Sequence, residues 1–431
     1  MSGPEVGSTL GGRRITVVGT NYAPETTGNA PYTRALAVAL ADAGGDVRVV
    51  TGVPHYPQWQ VTDPRYTRGS VWAEVIDGVP VTRVRHVVPA RPGVAGRGAF
   101  EATFFSRALQ VVRRQPADLV IAVTPMLSGL AAATFSGARA RAVLVQDLTG
   151  NGASQSGAAG PQIGRALGRV EYAMLRRCAR VGVITERFED VLVAKGVDPS
   201  RIDVLPNFSH VERTATDRLA ARRALGWNPG DFIVAHTGNM GMKQGLESVV
   251  DAAILAEHVG PPVKFVLVGD GNQRVALEQR GRSASRLDLV PPVTAEQYPA
   301  VLAAADVLLV NEKPGVVEMS MPSKLTSYAA ARRPVLAAVE PGSITHSFLT
   351  EHDAALVVPA GRPGELLDAV LELAAGEKER DDLAHRIGRL YDTVYSREAA
   401  ERRYVEFAGR ALGVFPSRTT DTARPSTRAA A

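Results

Sequence analysis

The sequence predicts an α/β protein made of two doubly wound, parallel-sheet domains, and three observations lead there. Short β-rich runs alternate with helical stretches along the chain. The alternation breaks at residues 207–216, after the turn Leu205-Pro206-Asn207, and then restarts. A chain of 431 residues also exceeds what one ordinary core organises.

In the first half the strand candidates are residues 15–19, 47–51, 79–86, 119–123, 142–146, 181–185 and 202–205. They are short β-rich runs separated by helical stretches, as in doubly wound α/β domains. Helical segments are expected at 30–43, 97–114, 164–177 and 187–195. The second half repeats the theme, with strands at 232–236, 264–269, 287–290, 307–310, 335–338 and 356–358. Its clearest helices are 247–256, 295–303 and 324–331. These elements give an N-terminal domain at 13–210 and a C-terminal domain at 211–390. A helical stretch at 391–415 is expected to return to the first domain. Residues 1–12 and 416–431 are aperiodic and read as disordered tails.

Hydrophobic content of 45% and charged content of 22% are those of a globular protein. The apolar runs are strand-length and broken by Gly, Pro or charge, so no transmembrane helix is expected. The opening MSGPEVGSTLGGRR lacks the order of a signal peptide. One cysteine, Cys178, excludes an internal disulfide and fits a reducing cytoplasm. No Cys/His cluster has zinc spacing and no Asp-x-Asp triplet occurs, so no bound metal is expected. Net charge +5 and a pI near 9.4 suit anionic substrates or an anionic membrane. The basic residues are scattered without an aromatic stripe, which disfavours nucleic acid.

The run from Phe232 to Glu247 carries the most chemistry. A β-type segment empties into Gly238-Asn239-Met240-Gly241-Met242-Lys243-Gln244-Gly245, and a helix follows. Such a turn offers backbone N–H groups, a helix N-terminus and one cation to a phosphate. Val268-Gly269-Asp270-Gly271 and Met321-Pro322-Ser323-Lys324 are further loops of this kind, and together the three suggest a nucleotide site. Lys243 and Lys324 are read as phosphate cations, against the plainer reading of solvated surface lysines. Asp270 is read as a turn residue beside the nucleotide. Glu312 and Glu318 either hold a ribose or sugar hydroxyl or are solvated loop acids.

In the first half, Gly28-Asn29 before a helix is either a second phosphate contact or a tight connection with an Asn cap. His55, Tyr56 and Trp59, in Pro54-His55-Tyr56-Pro57-Gln58-Trp59, either line a sugar or lipid pocket or anchor a packed loop. Asp147, at a strand's carboxyl end before a Gly/Ser-rich loop through Gly160, is either a catalytic or hydroxyl-binding acid or a cap. The basic stretch Arg165, Arg169, Arg176, Arg177, Arg180 either touches anionic lipid or is a solvated face. No Gly-x-x-x-x-Gly-Lys-Ser/Thr run occurs, which excludes a P-loop nucleotidase.

The chain resembles the retaining glycosyltransferases of family 4, with the GT-B fold of two Rossmann-like domains facing each other across a cleft. It is most similar to the colanic-acid and exopolysaccharide biosynthesis type. The resemblance rests on Asn21-Tyr-Ala-Pro-Glu25, Pro57-Gln-Trp-Gln60, Val145-Gln-Asp-Leu148, Leu205-Pro-Asn207, Gly238–Gly245, Val268–Gly271, Ala304-Ala-Asp-Val307 and Met321–Leu325, in family order. It implies a nucleotide-diphosphate sugar held mainly by the C-terminal domain and a lipid-linked or glycan acceptor held mainly by the N-terminal one. Sugar transfer would need no separate cofactor and would occur in the cytoplasm or at the inner membrane face. Gly28, Asn239, Gly241, Lys243 and Lys324 would surround the diphosphate. Asp147 would lie near the reacting centre and Glu318 near the sugar or ribose. Asn29, Gly238, Gly269, Asp270, Gly271, Val290 and Ser323 would complete the nucleotide site, with backbone near Val290 facing the base.

The chain departs from the family pattern at Leu144, where a cleft histidine is common, at Asn239, often basic, and at Ser327, where a second Glu is usual. Thr149-Gly150-Asn151 replaces the usual aromatic and acid. Two competing readings remain: a GT-B-type nucleotide-sugar epimerase, and a non-catalytic nucleotide-sugar-binding relative.

Overall fold

The structure, a computed structural model, describes residues 9–90, 93–148, 161–211, 217–260, 262–315 and 322–416. The chain divides into two compact units. One takes the described residues up to Asn207 together with those from Ala400 onward; the other is Phe208–Ala399.

The N-terminal unit runs β1 (Arg14–Val18), α1 (Ala30–Asp42), β2 (Asp46–Gly52), β3 (Val71–Ile76), β4 (Val79–Val84) and α2 (Val94–Arg114). It continues with β5 (Leu119–Val123), α3 (Leu127–Thr134), β6 (Ala140–Val145), α4 (Pro161–Leu175), β7 (Arg180–Val183), α5 (Glu186–Ala194) and β8 (Ile202–Val204). Its eight strands lie in the order β3-β4-β2-β1-β5-β6-β7-β8, parallel except for the β3–β4 hairpin. The central strands are buried on both faces, which explains their unbroken apolar runs. Leu144 is one of these core residues.

The second unit runs α6 (Arg218–Leu225), β9 (Phe232–Thr237), α7 (Glu247–Leu255), β10 (Val263–Val268), α8 (Arg274–Arg280), β11 (Leu287–Val290) and α9 (Tyr298–Ala304). Then come β12 (Val307–Asn311), α10 (Lys324–Ala331), β13 (Val335–Val339), α11 (Ile344–Glu351), β14 (Leu356–Pro359), α12 (Pro363–Ala375) and α13 (Glu377–Leu390). The parallel sheet has the order β11-β10-β9-β12-β13-β14. Alternate residues feed two core layers: Val234, Phe265, Leu267 and Leu309 pack with α7 and α12, whereas Ile233, Ala235, Val266 and Leu308 pack with α9, α10 and α13. Asp306, of the Ala-Ala-Asp-Val motif, is structural. Its buried carboxylate pairs with Arg218 and Arg222 and accepts from the Ile233 N–H at the start of β9. The last helix, α14 (Arg397–Leu412), buries Tyr404 and Phe407, and its residues from Ala400 belong to the N-terminal unit.

Four readings need correction. Strand β3 went unrecognised because it is an edge strand with alternating exposure, turning into β4 through Asp77 and Gly78 at positive φ. Helix α3 went unrecognised because its N-terminal N–H groups are capped from α2, where Glu101 accepts from Leu127 and Ser128. Residues 9–12 of the tail expected at 1–12 are not a tail, since Leu10 is buried and its N–H donates to Ala43 at 3.0 Å; residues 1–8 lie outside the described residues. Arg180 is no part of a basic surface, since it starts β7 buried and ion-paired with Asp203 at 2.7 Å. Residues 417–431, of the other expected tail, lie outside the described residues.

Candidate functional site

In an open parallel sheet the ligand crevice lies beyond the carboxyl ends of the strands, where the strand order reverses. The reversal falls between β1 and β5 in the first sheet and between β9 and β12 in the second. Residues 19–29 follow β1 and residues 238–246 follow β9, so both glycine-containing segments leave their sheets at these points.

In the C-terminal unit three loops touch backbone to backbone. The Gly238 N–H donates to Val268 at 2.8 Å, Met240 to Asp270 at 2.8 Å and Gln273 to Met240 at 2.9 Å. A Cβ on Gly269 would collide with the Gly238 carbonyl, and one on Gly271 would meet the Met240 carbonyl oxygen at 2.5 Å. Glycine is required here for close approach. Across the reversal, the Lys313 N–H donates to the Lys243 carbonyl at 2.8 Å, and Asn311 Nδ2 donates to the carbonyls of Gln244 and Gly245 at 2.7 and 3.0 Å. Asn239 and Lys243 are exposed on this rigid rim. The Gly241 N–H is held by Gln244 Oε1 at 3.1 Å.

A buried polar layer lies beneath the rim. The ammonium of Lys324, first residue of α10, sits 2.9 Å from Nε2 of the buried His236. The other ring nitrogen, Nδ1, lies 3.2 Å from the Leu309 carbonyl. Burial, then the Lys324 charge, hold the imidazole well below its usual pKa, so the ring is neutral. A neutral ring that donates from Nδ1 leaves Nε2 to accept from Lys324. Beside it the buried Tyr328 hydroxyl accepts from the Thr237 N–H at 2.9 Å, and Thr237 Oγ1 lies 3.0 Å from the Tyr298 hydroxyl. Ser327 also bonds to Tyr298. The two lysines therefore differ: Lys243 stands on the rim and Lys324 on a buried histidine.

Of the other expected residues, Asp270 is exposed and its carboxylate accepts from the Gly271 N–H at 2.8 Å, the geometry of a turn. Val290 ends β11, and its carbonyl accepts from Arg274, which also takes the Gly269 carbonyl at 2.6 Å. Ser323 precedes α10 and is exposed. Glu312 is buried against the Thr345 hydroxyl at 2.6 Å. Glu318 lies outside the described residues, as do Met321 and the loop 149–160.

In the N-terminal unit Thr124 joins the expected pieces. Its carbonyl, just beyond β5, accepts from Asn29 Nδ2 at 2.6 Å, across the strand-order reversal. Its hydroxyl donates to the Asp147 carbonyl at 3.2 Å and accepts from the Gln146 N–H at 3.3 Å. Asn29 and Asp147 are thus tied to one residue. Asn29 fastens two loops with its carboxamide instead of capping α1 with it. The Asp147 side chain accepts only from the Leu148 N–H among the described residues, at 2.7 Å, and burial raises its pKa against that bond. Gln146 and Asn207 exchange paired amide bonds at 3.0 and 2.8 Å.

His55, Tyr56 and Trp59 separate. His55 is buried in a ring cluster, 5.7 Å from Trp59, 5.4 Å from Phe100 and 5.0 Å from His86. Tyr56 is exposed, and its ring lies against Gly28. Glu25 fixes the loop by accepting from the His55 and Tyr56 N–H groups, each at 2.8 Å. Sequence reasoning missed Thr124, His236, Arg274 and the positioning role of Glu25. Of these only His236 left a local trace, as a histidine inside the strand that empties into the glycine turn. Among the described residues, no three His, Cys, Asp or Glu side chains converge as a metal site, and no helix is long and apolar enough to cross a membrane.

Comparison with known proteins matches this architecture. Residues 27–207 match the family described as glycosyl transferase 4-like domain, and residues 231–376 match glycosyl transferases group 1. A protein of Escherichia coli strain K12 named for colanic acid biosynthesis glycosyl transfer, WcaI, is 32% identical over 340 residues, covering 74% of this chain and 81% of its own length. A 2-deoxystreptamine glucosyltransferase of Streptomyces kanamyceticus is 31% identical over 149 residues, 32% of this chain and 38% of its own. Among solved structures, Anabaena HepE in complex with UDP and glucose superposes with a TM-score of 0.63 at 15% identity, over 91% of this chain and 99% of that one. WaaG, a glycosyltransferase involved in lipopolysaccharide biosynthesis, gives 0.58 at 15% identity, over 92% and 100%. The chain belongs to the family-4 glycosyltransferases of GT-B fold, within the group related to exopolysaccharide and lipopolysaccharide biosynthesis enzymes.

Proposed function

We propose that the chain transfers a sugar, with retention, from a nucleotide-diphosphate sugar to a lipid-linked or glycan precursor of an exopolysaccharide. The observation that carries this reading is the β9 loop: a rigid glycine rim at the strand-order reversal, with Lys243 on it and the Lys324–His236 pair beneath. Such a rim brings positive charge to a departing diphosphate, an electrostatic task that dominates many transfer reactions. HepE, crystallised with UDP and with UDP-glucose, supports a nucleotide-sugar donor.

In this reading the bond from the anomeric carbon to the diphosphate oxygen breaks and the acceptor oxygen bonds to that carbon on the same face. The acceptor proton passes to the departing phosphate. Gly238, Asn239, Gly241, Lys243, Ser323 and Lys324 serve the diphosphate, and Gly269–Gly271 and Val290 the nucleoside. Gly28 and Asn29 are further diphosphate contacts. Asp147 orients the acceptor, Tyr56 and Trp59 bound it, and Glu318 serves the sugar. No cofactor or resident metal is assigned, and chelator-treated protein should keep its turnover. The enzyme would work in the cytoplasm, with the exposed Arg165 and Arg169 of α4 touching an anionic inner membrane face.

The test is a thermal-shift screen against UDP-, GDP- and other nucleotide sugars. A ligand that binds only the native state raises the midpoint by mass action, so one donor should stand out. Lys243→Ala should abolish that shift and leave the ligand-free midpoint unchanged, since Lys243 is exposed. No shift with any donor would overturn the reading.

A further inference from the structure

At the amino ends of β6 and β7, on the opposite edge of the sheet from Thr124 and Asp147, the N-terminal unit has a surface cavity of about 330 Å³. Four arginines line it, Arg139, Arg141, Arg177 and Arg201, together with Cys178. Strand β6 runs between the two sites, so they stand about 20 Å apart.

The charge is barely compensated. Among the described residues, the one carboxylate paired with these arginines is Asp198, 3.6 Å from Arg201. The nearby Asp118 is committed to Arg14, accepting from its N–H at 2.9 Å and its side chain at 3.2 Å. Arg141 gives one bond to the Thr134 carbonyl at 3.3 Å. Arg139 and Arg177 have no side-chain hydrogen bond or ion pair among the described residues. Like charges in a concave, low-dielectric wall repel one another and focus a field that only an anion relieves.

The cavity can bind but has no means to react. The backbone N–H groups of Ala140, Cys178 and Ala179 donate to Asp118, Leu175 and Arg141. Recognition therefore falls to the guanidinium forks, whose planar paired donors match phosphate oxygens. The Cys178 thiol is buried, and burial pushes it up to about 12, so it is no nucleophile. The volume lies at the small end of the roughly 300–1,000 Å³ of small-ligand sites.

We propose that this cavity is a phosphate-binding site, separate from the sugar-transfer machinery, that takes a terminal phosphate group from a free phosphate compound or from a lipid headgroup. The proposal is independent of the donor reading.

The test titrates the full chain with inorganic pyrophosphate by calorimetry at low salt. The wild type is compared with Arg139→Gln/Arg177→Gln, with Lys243→Ala, and with a control pair of exposed arginines, Arg97→Gln/Arg187→Gln. A second arm measures co-sedimentation with phosphatidylcholine vesicles with and without phosphatidic acid. The expected result is a binding event that survives Lys243→Ala and the control pair, and weakens roughly tenfold or more in the cavity variant, as loss of charged hydrogen bonds implies. Loss in the calorimetric arm assigns a free phosphate compound; loss in the vesicle arm alone assigns a headgroup. The proposal is overturned if the cavity variant matches wild type in both arms, or if the control pair weakens binding equally. The four proteins should share one unfolding midpoint without ligand, which separates binding loss from misfolding.

Discussion

Replacing Gly271 with alanine tests the backbone packing on which the donor rim depends. The new Cβ would stand 2.5, 2.6 and 2.7 Å from the carbonyl oxygen, carbonyl carbon and nitrogen of Met240. Since Cβ contacts below 3.0 Å essentially never occur, the two loops must part by about half an ångström or more. Backbone, unlike a flexible side-chain tip, yields only by dragging its hydrogen bonds along. Those at risk run from Met240 to Asp270 at 2.8 Å and from Gln273 to Met240 at 2.9 Å. Overpacking costs about 1–3 kcal/mol and each weakened bond about 1 kcal/mol at most, so a loss of about 2–4 kcal/mol is expected. Because a 1 Å misplacement is worth roughly 10²-fold, half that shift should lower kcat/KM roughly tenfold. Urea unfolding and donor titration would be run beside Gly364→Ala, where a Cβ meets open space and stability should hold or rise. Equal midpoints and equal donor affinities for the two variants would refute the packing argument.

Three further outcomes are expected. His236→Leu removes the acceptor for Lys324 and should cost about 2–4 kcal/mol in urea unfolding, while His236→Gln, whose carbonyl can accept, should recover part of it; equal losses would show that the lysine contact is immaterial. Burial, then the neighbouring His55, lower the His86 ring from 6.5 to about 4, so between those values the unfolded chain binds a proton that the folded one refuses. Its stabilisation is complete above about pH 6.5 and falls by up to about 3 kcal/mol toward pH 4; His86→Leu should flatten that slope. Asp147→Asn should lower kcat roughly 10²-fold without changing fold, and remove an acid limb of kcat/KM that burial sets above the ordinary carboxylate range. Unchanged turnover would dismiss Asp147 from the reaction.

What could be read from the sequence was local. The β9 turn announced itself because its glycines, lysine and flanking strand and helix are contiguous. Asp77-Gly78 is an equally contiguous hairpin signal, yet β3 escaped because half of its side chains face solvent and its run is not purely apolar. The rest depended on distant partners. Lys324 meets His236 across 88 residues, Asn29 meets Thr124 across 95, and the cap on α3 comes from another helix. His55 and Tyr56 are adjacent and equally suited to a pocket, but Glu25 fixes the loop so that one ring turns inward and the other outward. No pattern in the sequence decides that division.

Gln244 adds a thermodynamic consequence to the rim. Its amide oxygen already accepts from the Gly241 N–H, a donor assigned to the diphosphate in the proposed reading. Under the proposed reading, a diphosphate oxygen arriving at that N–H would exchange one acceptor for another. The gain at that position is the difference between a charged and a neutral acceptor, smaller than a newly made bond. Departure of the proposed diphosphate would be eased for the same reason, with the glutamine restoring its bond. In the proposed reaction, a side chain that competes with the ligand at one position would limit how tightly the spent nucleotide is retained and so favour turnover over product trapping.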